Sequence, residues 1–168
     1  GSSFDIYVSS RELLFPHHEN EIAIGAAHWA KPLARYWVHC DQVLVDGRKV
    51  DDKANRWTLE DLKTLGCSER EIRCWLLSQH YRKPLVFAEN RLADIRRTLK
   101  RLDTFLLAVR RLPAAAPYPE IDQLLYDLKS GFIQGMDDDL NISAALAAVF
   151  KTVKRINVLI QEKRLDSE

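Results

Sequence analysis

From Leu92 to Leu112 the apolar residues Leu92, Ile95, Leu99, Leu102, Leu106, Val109 and Leu112 fall three and four apart without a break. Only a helix brings such positions to one side, so the spacing predicts a long amphipathic helix over 88–112 with a nearly heptad seam. One such stripe cannot be buried alone and calls for partners of its own kind. Two follow. Ile121, Leu124, Leu125, Leu128 and Phe132 define a second helix from Glu120 to about Gly135, where the glycine is expected to stop it. Ile142, Leu146, Val149, Val153, Ile156 and Ile160 carry a third to the end. The stretch from Pro113 to Pro119, with three prolines, cannot continue a helix and reads as a linker. Residues 88–168 are therefore expected to form a small antiparallel bundle. Asp137, Asp138 and Asp139 read more simply as an acidic entry to the last helix than as a metal site.

The first half is patterned differently. Phe4 to Val8 reads as a short strand, and Arg35 to Cys40 and Gln42 to Val45 as two more, closed by the Asp46-Gly47 turn. Thr58, Glu60 and Asp61 open a short helix that Gly66 ends, and Ser68 with Glu71 forms a capping box for another, with Ile72, Trp75, Leu76 and Gln79 on its buried side. The domains predicted are 4–57, a connecting helical region 58–87, and the bundle. The fold class is mostly α with a small β part.

Charge narrows the partners. Twenty-five basic and twenty-four acidic residues leave a net charge of +1, so any nucleic-acid surface must be local. The long helix supplies one: Arg96, Arg97, Lys100, Arg101, Arg110 and Arg111 share its polar face. Arg82 and Lys83 beside Tyr81 offer a second, able to meet a phosphate and stack a base. No apolar run approaches membrane-spanning length. Cys40, Cys67 and Cys74 form neither a C-x-x-C pair nor a secreted framework, which suits a reducing, cytoplasmic setting.

The densest chemistry lies in Phe15-Pro16-His17-His18-Glu19-Asn20-Glu21-Ile22. A helix beginning at Pro16 places His17 and Glu21 on one face, a turn apart, where they can share a metal or a hydrogen bond. His18 falls instead with Ile22, Ala26 and Trp29, a stripe expected to be core.

This segment resembles the one that helps hold the substrate-gripping zinc in cysteinyl-tRNA synthetases. The similarity continues through Ala34-Arg35-Tyr36-Trp37-Val38-His39, Val45-Asp46-Gly47, Leu77-Ser78-Gln79-His80-Tyr81-Arg82-Lys83-Pro84-Leu85 and Met136-Asp137-Asp138-Asp139-Leu140-Asn141, nearly the whole chain in collinear order. The resemblance implies part of a Rossmann-like class I synthetase half followed by a helical bundle that leans on tRNA, with zinc and ATP as the family's ligands. It also implies departures. Tyr7-Val8-Ser9-Ser10 stands where the family has His-Gly-Gly-Gly against the nucleotide, and Glu12 where it has aspartate. Lys49-Val50-Asp51-Asp52-Lys53 replaces Lys-Met-Ser-Lys-Ser, so Lys49 and Lys53 are remnant catalytic lysines and Asp52 reverses a charge. The His-Ile-Gly-His motif and both cysteine zinc ligands are absent, leaving His17 and Glu21 as remnant ligands, expected to form a buried hydrogen-bonded pair rather than a metal site.

The expected protein is therefore cofactor-free and unable to make cysteinyl-adenylate alone. It would bind tRNA through Arg82, Lys83, Arg97, Lys100 and Arg101, or bind a protein, either one supplying an N-terminal half or a second copy. The alternative is a cysteine–tRNA ligase part, active in ATP-dependent aminoacylation only with that N-terminal half.

Overall fold

The computed structural model describes residues 3–45, 47–50, 57–112 and 119–165. The chain divides into two compact units, Gly1–Thr58 with Tyr81–Ala88, and Leu59–His80 with Glu89–Glu168. The connecting stretch 58–87 is thus shared between them.

In the first unit β1 (Phe4–Ser10) runs parallel to β2 (Ala34–Cys40), Ile6 opposite Tyr36 and Val8 opposite Val38. A parallel pair needs a crossover, supplied by a 3-10 turn (Arg11–Leu13), a π-turn (Leu14–His18) and α1 (Glu19–Trp29). The Ser10 hydroxyl accepts from the Glu12 backbone N–H and starts the first of these turns. β3 (Val43–Val45) then pairs antiparallel with β4 (Arg48–Lys49) around Gly47, whose φ of 73° suits a residue without a Cβ. Asp46 lies outside the described residues.

One strand was not legible in the sequence. β5 (Leu85–Phe87) pairs parallel with β3 and buries Phe87 against Trp57, ring centroids 5.0 Å apart. Three residues are too few to display an alternation.

Alternation along β1 and β2 separates two faces. Tyr7, Trp37 and His39 share the side of the sheet that meets His18. Phe4, Ile6, Val8 and Tyr36 lie on the opposite side, each more than half exposed. The stripe expected to be core on α1 is likewise open: Ile22, Ala26 and Trp29 are exposed, and only His18 of that set is buried. A two-stranded sheet is too narrow to cover a helix face.

The second unit is helical: α2 (Leu59–Thr64), α3 (Glu69–Leu76), α4 (Glu89–Arg110), α5 (Pro119–Asp137) and α6 (Ile142–Gln161). Gly66 ends α2 with φ 76°, and the capping box of α3 forms as expected, Ser68 and Glu71 each bonding the other's backbone N–H. The Ser68 N–H, then Arg96, holds the Glu71 carboxyl below its ordinary range. Glu71→Ala is expected to cost about 1–2 kcal/mol, visible as a lower urea midpoint at unchanged slope. Ile72 and Trp75 are buried, whereas Leu76 and Gln79 are exposed, because α3 ends at Leu76.

The long seam is buried only in its first half: Leu92 and Ile95 are covered, Leu106 and Val109 exposed. Gly135 does not stop α5. It lies inside the helix, where a Cβ would sit 2.6 Å from the Ala145 backbone nitrogen, so the absent side chain is what lets α6 approach. The cap of α6 is Asn141, whose side chain accepts from the Ala144 N–H at 3.2 Å, and Asp137 belongs to α5 rather than to the entry of α6. Asp138 accepts from the Asn141 amide at 3.1 Å, and Asp139 faces His80 at 3.9 Å. Along α6 the buried positions are Ala145, Thr152, Val153, Ile156 and Leu159, the last of them fully buried. Residues 113–118, the expected linker, lie outside the described residues.

Candidate functional site

In the first unit, β1, β2 and the turn entering α1 bring together Tyr7, Trp37, His39, His18 and Glu21. Tyr7 packs on Trp37 with centroids 4.5 Å apart, and His18 lies 5.4 Å from Trp37 and 5.0 Å from His39. His18 Nδ1 and His39 Nε2 are 3.1 Å apart and share one proton, so one ring donates and the other accepts. The Glu21 carboxylate beside the Tyr7 hydroxyl is the main reason that the tyrosine's pKa is raised. Among the described residues, His18 Nε2 and Glu21 Oε2 are buried without a hydrogen-bond partner.

Burial first, then the neighbouring His18 and Arg82, lowers the pKa of His39. The folded state resists a proton that the unfolded chain takes up near pH ~6.5. The stability tied to His39 is therefore present above that value and is lost as pH falls from there through the lowered folded value. Urea midpoints of the wild type should drop as pH falls below about 6.5, and His39→Gln should flatten that drop.

Zinc binding requires four ligands in a structural site, or three with one open position. Among the described residues, no group of three or more His, Cys, Asp or Glu is placed to hold a metal ion. His17 is exposed while Glu21 turns inward beside Tyr7, so the expected buried His17–Glu21 pair does not form. His18, which the helical spacing already places on the inward stripe, is the buried histidine of the two. Two donors, one of them turned to solvent, do not fit a zinc site.

The other candidates are scattered over both units. Lys49 on β4 gives its ammonium to the Glu12 carboxylate, which also accepts from the Gln42 amide. Lys53, with Asp51 and Asp52, lies outside the described residues. The Arg82 guanidinium donates to the Tyr81 hydroxyl at 2.8 Å and lies over that ring, and Lys83 is exposed. On α4, Arg97 pairs with Asp94, Lys100 is exposed, and Arg101 lies 5.4 Å above the Phe150 ring. Arg96, expected on the same basic face, is instead committed to Glu71 and the Gly66 carbonyl. Sequence reasoning missed the Tyr7–Trp37–His39 grouping, although the alternation of Trp37 and His39 along one strand was there to read.

A parallel β-α-β unit joined to a helical bundle, with a lysine on the hairpin that follows, defines a class I synthetase-like arrangement. A ternary complex of leucyl-tRNA synthetase, tRNA and LeuAMS from Agrobacterium radiobacter K84 matches 94% of this chain and 23% of its own at a TM-score of 0.63 and 17% identity, a likeness of fold. Residues 1–97 match the family described as the tRNA synthetases class I (C) catalytic domain, and residues 131–168 match the DALR domain. The chain belongs to this cysteinyl-tRNA synthetase family. It is 37% identical over 171 residues to the cysteine–tRNA ligase of Chlamydia muridarum, covering all of this chain and 36% of that protein. The ligase of Chlamydia felis is 40% identical over 98% of this chain and 35% of its own length, and that of Leptospira interrogans 37% identical over 100% and 37%. The chain thus spans little more than a third of the curated relatives it matches.

Proposed function

We propose that this chain, acting alone, does not make cysteinyl-adenylate and works by binding tRNA. The engagement of Lys49 by Glu12 carries the reading: the remnant lysine for a departing diphosphate is already neutralised by a carboxylate. Asp51 and Asp52 follow it in sequence, and β1 runs through to Ser10 with side chains where close approach of a nucleotide calls for glycine. Asp52 stands where the resemblance puts the second lysine, and losing one electrostatic donor to a transition state typically costs about two to three orders of magnitude in rate. Arg82 and Lys83, and Arg97, Lys100 and Arg101 on α4, are the groups assigned to tRNA phosphates. No cofactor is needed for that role. Cysteine-dependent exchange of pyrophosphate into ATP, measured on the chain by itself, should stay at background; exchange well above it would sink the proposal.

One observation favours a second reading, in which the chain is part of an ATP-dependent cysteine–tRNA ligase that works only when an N-terminal half is supplied. The apolar face made by Phe4, Ile6, Val8 and Tyr36 is open, and β1 pairs with β2 alone among the described strands. Co-expression with the N-terminal half of a relative should then give a complex with aminoacylation activity; neither complex nor activity would remove this reading. No helix among the described residues is long and apolar enough to cross a membrane.

A further inference from the structure

Three side chains meet where the parallel strands of the first unit end. Glu12 follows β1, Gln42 follows β2, and Lys49 lies on β4. The carboxylate of Glu12 accepts from both of the others. Ligands of open α/β folds bind beyond the carboxyl ends of their strands, and a lysine ammonium there is a point charge for a phosphate. Here an anion from the chain itself already occupies it. The side chains of Lys49 and Glu12 are 54% and 39% exposed, so water and solutes reach the pair and a competing anion can displace the carboxylate.

We propose that Glu12 is a built-in competitor for anions at Lys49, its carboxylate taking the ammonium that a diphosphate group would otherwise bind. This rests on the reading that Lys49 is the remnant phosphate-facing lysine, and it adds a cause: the cation persists but is screened from within. The Gln42 amide fixes the geometry, because it holds the same carboxylate from the neighbouring strand end while the Gln42 backbone N–H is held by Asp41 at 2.7 Å. An exposed pair of this kind is a weak competitor, so removing it should change anion affinity only a few-fold.

The test is titration of inorganic pyrophosphate, without metal, into the whole chain at low salt, followed by phosphorus NMR. The proteins compared are the wild type, Glu12→Gln and the double variant Glu12→Gln with Lys49→Ala. Glutamine keeps the size of the side chain and removes its charge; its single amide oxygen can still accept from Gln42, while its NH2 group no longer accepts from Lys49, and unchanged far-UV circular dichroism confirms the fold. Glu12→Gln should bind pyrophosphate about two- to five-fold more tightly than wild type, the gain should vanish in the double variant, and it should shrink as salt is raised to about 0.5 M. Affinity of Glu12→Gln no better than wild type, including no binding by either, overturns the proposal, as does a gain that survives Lys49→Ala. Pyrophosphate exchange by the wild type would sink the proposed function while leaving this competition intact. A flat response of Glu12→Gln would sink the competition and leave the proposed function standing.

Discussion

Gly135→Ala is expected to destabilise the helical unit by about 1–3 kcal/mol. The sign is the informative part. At an exposed helical position the same change would stabilise by up to about 1 kcal/mol, since alanine loses less backbone freedom than glycine. Here the new methyl would lie 2.6 Å from the nitrogen and 3.0 Å from the Cα of Ala145, both backbone atoms of a fully buried residue. No rotamer relieves that, so α6 must move away from α5 and open the packing along the pair. Gly131→Ala is the internal comparison, since its Cβ would meet only the Ala148 methyl, at 3.0 Å, and should cost less. Urea melts followed by helical circular dichroism decide the matter: a Gly135→Ala variant as stable as wild type would mean that α5 and α6 are not packed this closely.

Removing Arg97, Lys100 and Arg101 together is expected to weaken tRNA binding steeply at low salt and to lower the slope of log affinity against log salt by about 2 to 3. The positions are three and four residues apart and so lie on one face of α4, and each side chain is exposed. Arg97 leaves Asp94 uncompensated when it is removed, and Arg101 leaves the Phe150 ring, both surface changes of small energetic weight. Over the range from about 50 to 200 mM salt, three lost phosphate contacts amount to a change of roughly 40-fold in how far the wild type and the variant diverge. Filter binding across that range is the measurement. An unchanged slope in the triple variant would take α4 out of the tRNA-binding proposal and leave Arg82 and Lys83 to carry it.

The charge on a helix face is easy to read and its use is not. Arg96, four residues after Leu92 and three before Leu99, borders the seam, lies against α3 and completes the Glu71 network, a contact between residues 25 apart in sequence. The spacing sets Arg96 nearer the seam than Arg97, but it does not name the partner that Arg96 meets. His18 shows the same limit: its inward position follows from the helical spacing, whereas its partner His39, 21 residues away, follows from nothing local. Gly135 shows it in reverse, a residue read as a stop because stopping is the commonest local use of glycine near a helix end, when its use is to admit a neighbouring backbone.

Periodicity and capping chemistry act over one or two turns, and on that scale the sequence alone determined the protein: three amphipathic helices, the Ser68–Glu71 capping box, the Gly47 and Gly66 turns, and the family that these motifs in this order belong to. The tertiary structure decided what depends on distant residues meeting. It added β5 to β3, left one face of the β1–β2 pair open, turned His18 toward His39 and Glu21 toward Tyr7, and set Glu12 on Lys49. The physical reason is that these are contacts between segments 14 to 42 residues apart, including 37 for Glu12 and Lys49 and 21 for the histidine pair, and such partners are chosen by how whole elements pack, not by any pattern along the chain.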